Sequence, residues 1–96
     1  MRKSKSEPVG DLVRMFLRQE GLETPYNEYK LIQNWERVVG GLVARQTGKL
    51  FIKNQTLFAE IRSAVLKQEL IMRRRMYVER LNAAAGAQVI TDIRFY

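Results

Sequence analysis

Apolar residues recur along the first part of the chain at the spacing of a helix. Val9, Leu12, Val13, Phe16 and Leu17 fall on one side of a 3.6-residue period, which predicts a first amphipathic helix closed by Gly21. Thr24-Pro25 supplies the next helix start, with Thr24 as N-cap and Pro25 in the first turn. Ile32, Trp35, Val38 and Val39 mark one face of this second helix, with Trp35 as a core anchor, until Gly40-Gly41 ends it and the chain reverses. Leu42 to Gln46 form a further short helical turn, ended by Gly48. From Lys49 the period falls to 2. Leu50 and Ile52 alternate with Lys49, Phe51 and Lys53, and Leu57, Ala59 and Ile61 alternate with Phe58, Glu60 and Arg62. Asn54-Gln55 between the two runs is a two-residue hairpin turn, although Gln is a poorer second turn residue than Gly. That loop length fixes the register. Ile52 faces Leu57 and Leu50 faces Ala59 on one side; Phe51 faces Phe58, Lys49 faces Glu60 and Lys53 faces Thr56 on the other. Ser63 then caps a long helix running to about Ala85 and ended by Gly86, with Leu66, Leu70, Tyr77, Leu81 and Ala84 on one face. Val89 to Phe95 reads as a third strand. The expected class is α+β, in the order α-α-β-β-α-β, with a three-stranded sheet covered by helices on one face.

At 96 residues the chain has the length of a single domain, expected over residues 8–96 behind a short disordered basic arm at residues 1–7. Charge changes the picture more than length does. The net charge of +7 is unevenly spread: residues 1–7 carry +2, residues 8–48 and 81–96 cancel, and residues 49–80 carry +5. A localised excess of Lys and Arg is what a polyanion surface selects, because each phosphate contact releases counterions. The sequence has no cysteine and no histidine, which removes thiolate sites, the commonest general base and the commonest metal ligand. Carboxylates are scattered without metal or acid–base spacing, and Ser63 has no base to activate it, so neither an enzyme nor a cofactor or metal is expected. No apolar run approaches a membrane span, and the charged N-terminus is not followed by the apolar core of a secretory signal, so a cytoplasmic protein is expected.

An ordered set of short motifs is similar to a known family. Trp35-Glu36-Arg37-Val38-Val39-Gly40 ends a helix, Leu57-Phe58-Ala59-Glu60-Ile61-Arg62-Ser63 forms the second strand of the hairpin, and Glu69-Leu70 follows. Leu81-Asn82, Gly86 and a closing Ile90-Thr91-Asp92-Ile93-Arg94-Phe95 complete the set, which resembles the DciA-like family over about residues 9–96. The resemblance implies a KH-like domain, DNA binding, and a role in loading the bacterial replicative helicase onto DNA. Many members join this domain to a long flexible tail that engages the helicase. The sequence here ends at Tyr96, so that contact is expected from the folded domain or the N-terminal arm. KH domains that bind nucleic acid clamp the backbone with a Gly-x-x-Gly loop. The glycines here stand at 10, 21, 40, 41, 48 and 86, no two of them three apart, so contact with nucleic acid has to use another surface.

The residues expected to carry that contact are Lys49, Lys53, Arg62, Lys67, Arg74 and Arg75, on the hairpin and the long helix. Arg73-Arg74-Arg75 fan across about 200° of helix surface and cannot all face one ligand. Arg73 falls within the apolar face and is expected to pair with Glu69 one turn earlier, leaving Arg74 and Arg75 for phosphates. Three readings stand for Phe51 and Phe58: stacking of unpaired bases, an interface for a partner or second copy, or core beneath a helix. Arg2, Lys3 and Lys5 add long-range attraction for DNA, single- or double-stranded, or simply solubility. The alternatives to a DNA-binding replication accessory are a protein-interaction module and an RNA-binding KH-like protein. A dimer stays open.

Overall fold

The computed structural model describes residues 8–19, 21 and 23–96; the arm expected over residues 1–7 lies outside them. In chain order these residues form α1 (Pro8–Gln19), α2 (Glu23–Gln33), α3 (Trp35–Val39), α4 (Gly41–Arg45), β1 (Thr47–Lys53), β2 (Thr56–Ile61), α5 (Ala64–Met72), α6 (Arg74–Ala85) and β3 (Asp92–Phe95). The class is α+β as expected, but two helices are each divided in two. After α2 the Asn34 side chain donates to the Lys30 carbonyl at 2.8 Å, while its backbone N–H is shared between Lys30 and Leu31 at 3.1 Å each. A short amide side chain that competes for the i−4 carbonyl in this way ends one helix and starts another. The long helix breaks at Arg73 (φ −109°, ψ 18°), which closes α5 and opens α6. Arg73 is therefore exposed rather than within the apolar face, and the expected pair with Glu69 does not form. The buried row runs Leu70, Tyr77, Leu81 and Ala85, and Ala84 is exposed.

Local signals at the other helix ends hold in part. Ser63 Oγ accepts from the Leu66 N–H at 3.2 Å, as an N-cap should. Gly86 adopts the left-handed conformation (φ 76°) in which its N–H reaches the Asn82 and Ala83 carbonyls, a cap only glycine enters freely. Thr24 is not the cap of α2: that helix begins at Glu23, whose carboxylate lies 3.9 Å from Arg18, and Pro25 sits in its first turn. There its missing N–H leaves no bond unmade.

The hairpin register is the one expected, with Leu50↔Ala59, Phe51↔Phe58, Ile52↔Leu57 and Lys53↔Thr56. Asn54 and Gln55 both take positive φ (52° and 60°), the conformation of a type I′ turn. Toward the start of β1 the register slips between Thr47 and Leu50, and the expected Lys49–Glu60 side-chain pair is replaced. The Lys49 backbone N–H donates to Glu60 Oε1 at 2.9 Å, so the carboxylate fills the gap in the ladder. Gly48 lies in this bulge, not at a helix end; a Cβ there would collide with that carboxylate.

β3 joins the other side of β2 in parallel, giving the order β1-β2-β3 with Thr56↔Asp92, Leu57↔Ile93, Phe58↔Arg94 and Ala59↔Phe95. The strand is shorter than expected because Asn82 takes the preceding residues for itself. This buried side chain accepts from the Val89 and Ile90 N–H groups (2.9 and 3.0 Å) and donates to the Ile90 carbonyl (2.9 Å). One core unites the layers: Leu31, Trp35, Val39, Val43, Leu70, Tyr77, Leu81 and Ala85 from the helices meet Leu57, Ala59, Ile61 and Ile93 from the sheet. Helices thus cover one face of the sheet and leave the other open. The amphipathic α1 forms, yet Leu12, Val13, Met15 and Phe16 remain exposed. Among the described residues, no helix is long and apolar enough to cross a membrane.

Candidate nucleic-acid interface

Alternation along each strand decides which side chains reach the open face. On β2 Leu57, Ala59 and Ile61 turn inward, so Thr56, Phe58 and Glu60 turn outward. The hairpin register then places Lys53 and Phe51 beside Thr56 and Phe58, with Lys49 exposed in the bulge two residues before Phe51, and the parallel ladder places Asp92 and Arg94 on the far side. Tyr96 extends that ladder, its N–H donating to the Ala59 carbonyl at 3.0 Å and its carbonyl accepting from Ile61 at 2.8 Å. Two rows are complete, Lys53–Thr56–Asp92 at the turn and Phe51–Phe58–Arg94 in the middle; beyond them Glu60 stands beside Tyr96, and Lys49 lies exposed in the bulge without a strand partner.

Phe51 and Phe58 are not core. Their rings stack in parallel, with centroids 4.9 Å apart and planes 8° from coplanar, and Phe51 remains 42% exposed. They do not lie beneath a helix, since the core that the helices share with the sheet is built on its other face and contains neither ring. Arg94, Phe95 and Tyr96 complete a shallow cavity of about 390 Å³ around the pair. Arg94 and Tyr96 were not among the expected site residues. The alternation of β3 about Ile93 would have found them, since it puts Asp92, Arg94 and Tyr96 on one side.

Both carboxylates on this face are engaged. Asp92 accepts from Arg74 Nε at 3.2 Å and from the Ile93 N–H at 2.8 Å; Glu60 accepts from the Lys49 N–H. Among the described residues the ion pairs are Arg18–Glu23 and Arg74–Asp92, so Lys49, Lys53 and Arg94 carry none. Arg74, although exposed, is held at the edge of the face by Asp92 instead of extending alone into solvent. Such a half-exposed pair contributes at most about 1 kcal/mol and yields readily to a competing anion. Arg62, exposed just after β2, donates from its guanidinium to the Arg45 carbonyl at the C-terminal end of α4 (2.9 Å), a favourable place for a cation.

The helical candidates stand elsewhere. Lys67 lies half-buried on α5, and Arg75 lines a groove with Ile71, Met72, Val78, Glu79 and Gln88 that ends at Thr91 and Asp92. The structure therefore gathers Lys49 and Lys53 on the open face with Arg62 and Arg74 at its borders, and leaves Lys67 and Arg75 in the helical layer. Among the described residues no group of three or more Asp or Glu could hold a metal ion. A family model described as Dna[CI] antecedent, DciA, matches residues 8–95, nearly the whole chain. No curated protein matches it.

Proposed function

Because the chain belongs to the DciA family, a family associated with replication and helicase loading in bacteria, we propose that it is a DNA-binding accessory of the replicative helicase. In this reading the protein is a cytoplasmic KH-like unit without catalytic chemistry, and the open sheet face is its DNA surface. The observation that carries the reading is the Phe51–Phe58 stack, Phe51 exposed and Phe58 half-buried, flanked by Lys49, Lys53 and Arg94, three cations with no ion pair among the described residues. Phosphates find there the charge they need, and Arg74 and Arg62 extend it at the borders. Contact by three to five such groups gives a log–log plot of affinity against salt that falls by about 0.7 per phosphate on single strands and about 0.9 on duplex. A filter-binding titration measures this slope, and a flat plot removes the phosphate model.

A second reading, as a protein-interaction module, draws on α1, whose Leu12, Val13, Met15 and Phe16 stay uncovered. Phe16→Ser distinguishes the two. Loss of helicase capture with DNA affinity intact assigns α1 to the protein partner and leaves the sheet to DNA.

A further inference from the structure

The open face carries a hollow that phosphate contact alone leaves unused. Resting on the reading of this face as a DNA surface, we propose that the cavity walled by Phe51, Phe58, Arg94, Phe95 and Tyr96 is a stacking site for unpaired bases of single-stranded DNA.

Phe51, Phe58 and Tyr96 bring rings to it and Arg94 a planar guanidinium, while Phe95 borders it from a strand position whose side chain packs against the core. Both surfaces take a nucleobase without regard to sequence. Phe51 and Phe58 already stack on each other, and Phe51 and Tyr96 remain 42% and 45% exposed. Paired bases cannot use these faces: inside a duplex each base is covered above and below and presents only its edges in the grooves. The rows on either side supply the rest of a nucleotide's needs. Lys49, Phe51 and Lys53 are the exposed positions along this part of β1, so each lysine is anchored about 7 Å along the backbone from Phe51, roughly one nucleotide step of an extended strand. A neutral or basic protein surface would cover the rings while leaving Lys49, Lys53 and Arg94 without partners, a combination that desolvates charge for no return. A polyanion with exposed rings satisfies both parts at once.

Anisotropy of fluorescein-labelled probes on the full chain tests the assignment with three ligands: oligothymidylate of about 15 nucleotides, an abasic sugar–phosphate strand of the same length, and a mixed-sequence duplex. Oligothymidylate should bind at least tenfold more tightly than the abasic strand. Phe58→Leu should bring oligothymidylate down to the abasic level and change duplex affinity less than twofold. Equal affinity of wild-type protein for thymidylate and abasic strands overturns the stacking site while leaving the phosphate surface standing. Equal losses on single strand and duplex in Phe58→Leu overturn it as well. Should that variant fail to fold, the abasic comparison on wild-type protein decides alone. No binding of any probe removes the DNA reading together with this one. Tighter binding of oligouridylate than of oligothymidylate overturns the assignment to DNA. Self-association that Phe58→Leu abolishes, with thymidylate affinity unchanged, overturns it in favour of a dimer interface.

Discussion

Single residues in this fold hold more than their own position. Asn82 is the one buried polar side chain among the described residues, and its two ends satisfy three backbone groups of residues 89 and 90. Those bonds fix where the chain turns from α6 toward β3, so they also place Arg94 and Tyr96. Asn82→Ala leaves two N–H groups without partners and the Ile90 carbonyl with only the long contact from the Gln88 amide (3.5 Å), and should lower stability by about 3 kcal/mol in urea unfolding; a loss below about 1 kcal/mol would show that water replaces the side chain. Gln55 presents the opposite case, a residue poorly matched to its place. It holds φ 60° in a turn that favours glycine, and its backbone carbonyl accepts from the Thr91 N–H at 2.8 Å. That bond ties the hairpin tip to the entry of β3 and does not depend on the side chain. Gln55→Gly therefore keeps the tie and relieves the left-handed strain, which should raise stability by about 0.5–1 kcal/mol, read as a higher unfolding midpoint.

At the scale of elements, a short polar relay joins pieces that hydrophobic contact alone would leave free to slide. Trp35 at the start of α3 donates from Nε1 to Thr47 Oγ1 (3.1 Å), and the same hydroxyl donates to the Val43 carbonyl in α4 (2.7 Å). One hydroxyl thus registers two helices against the first strand. Thr47→Val keeps shape and strand preference but leaves the indole N–H unmatched and the Val43 carbonyl with the Gln46 N–H alone, at a cost of about 1–2 kcal/mol. Trp35 is the only tryptophan, so its fluorescence reports the change locally. Neither this relay nor the two helix breaks could be read in advance. Asn34 and Arg73 sit inside unbroken 3.6-residue patterns, and only a tertiary setting chooses between an i−4 bond and a local cap. The hairpin, by contrast, was legible down to the pairing of individual residues, because period 2 and a two-residue loop admit one register. The bulge escaped because it depends on a carboxylate replacing a strand partner, which alternation does not encode.

Across the whole molecule, the chain position of a charge turns out to be a poor guide to its place in space. The +5 segment of residues 49–80 runs from the open sheet face through α5 into α6, so the fold divides its cations between two layers. Lys49 and Lys53 were legible because a strand gives each side chain one of two faces. Only proximity in sequence links Lys67 and Arg75 to that surface, and the charge sum hides Arg94 because its own segment adds to zero. Asp92, which cancels it on paper, is paired instead with Arg74. A test of the proposed surface should thus group cations by layer. Lys49→Gln, Lys53→Gln and Arg94→Gln together should weaken single-strand binding more than tenfold at about 0.1 M salt and flatten the salt slope by about 2, one phosphate contact per residue removed. Arg80→Gln, an exposed change on α6 in the helical layer, removes one charge of the same sign outside the proposed face, and should alter affinity less than twofold. If Arg80→Gln weakened binding as much as any one of the sheet-face substitutions, net charge rather than this face would govern contact with DNA.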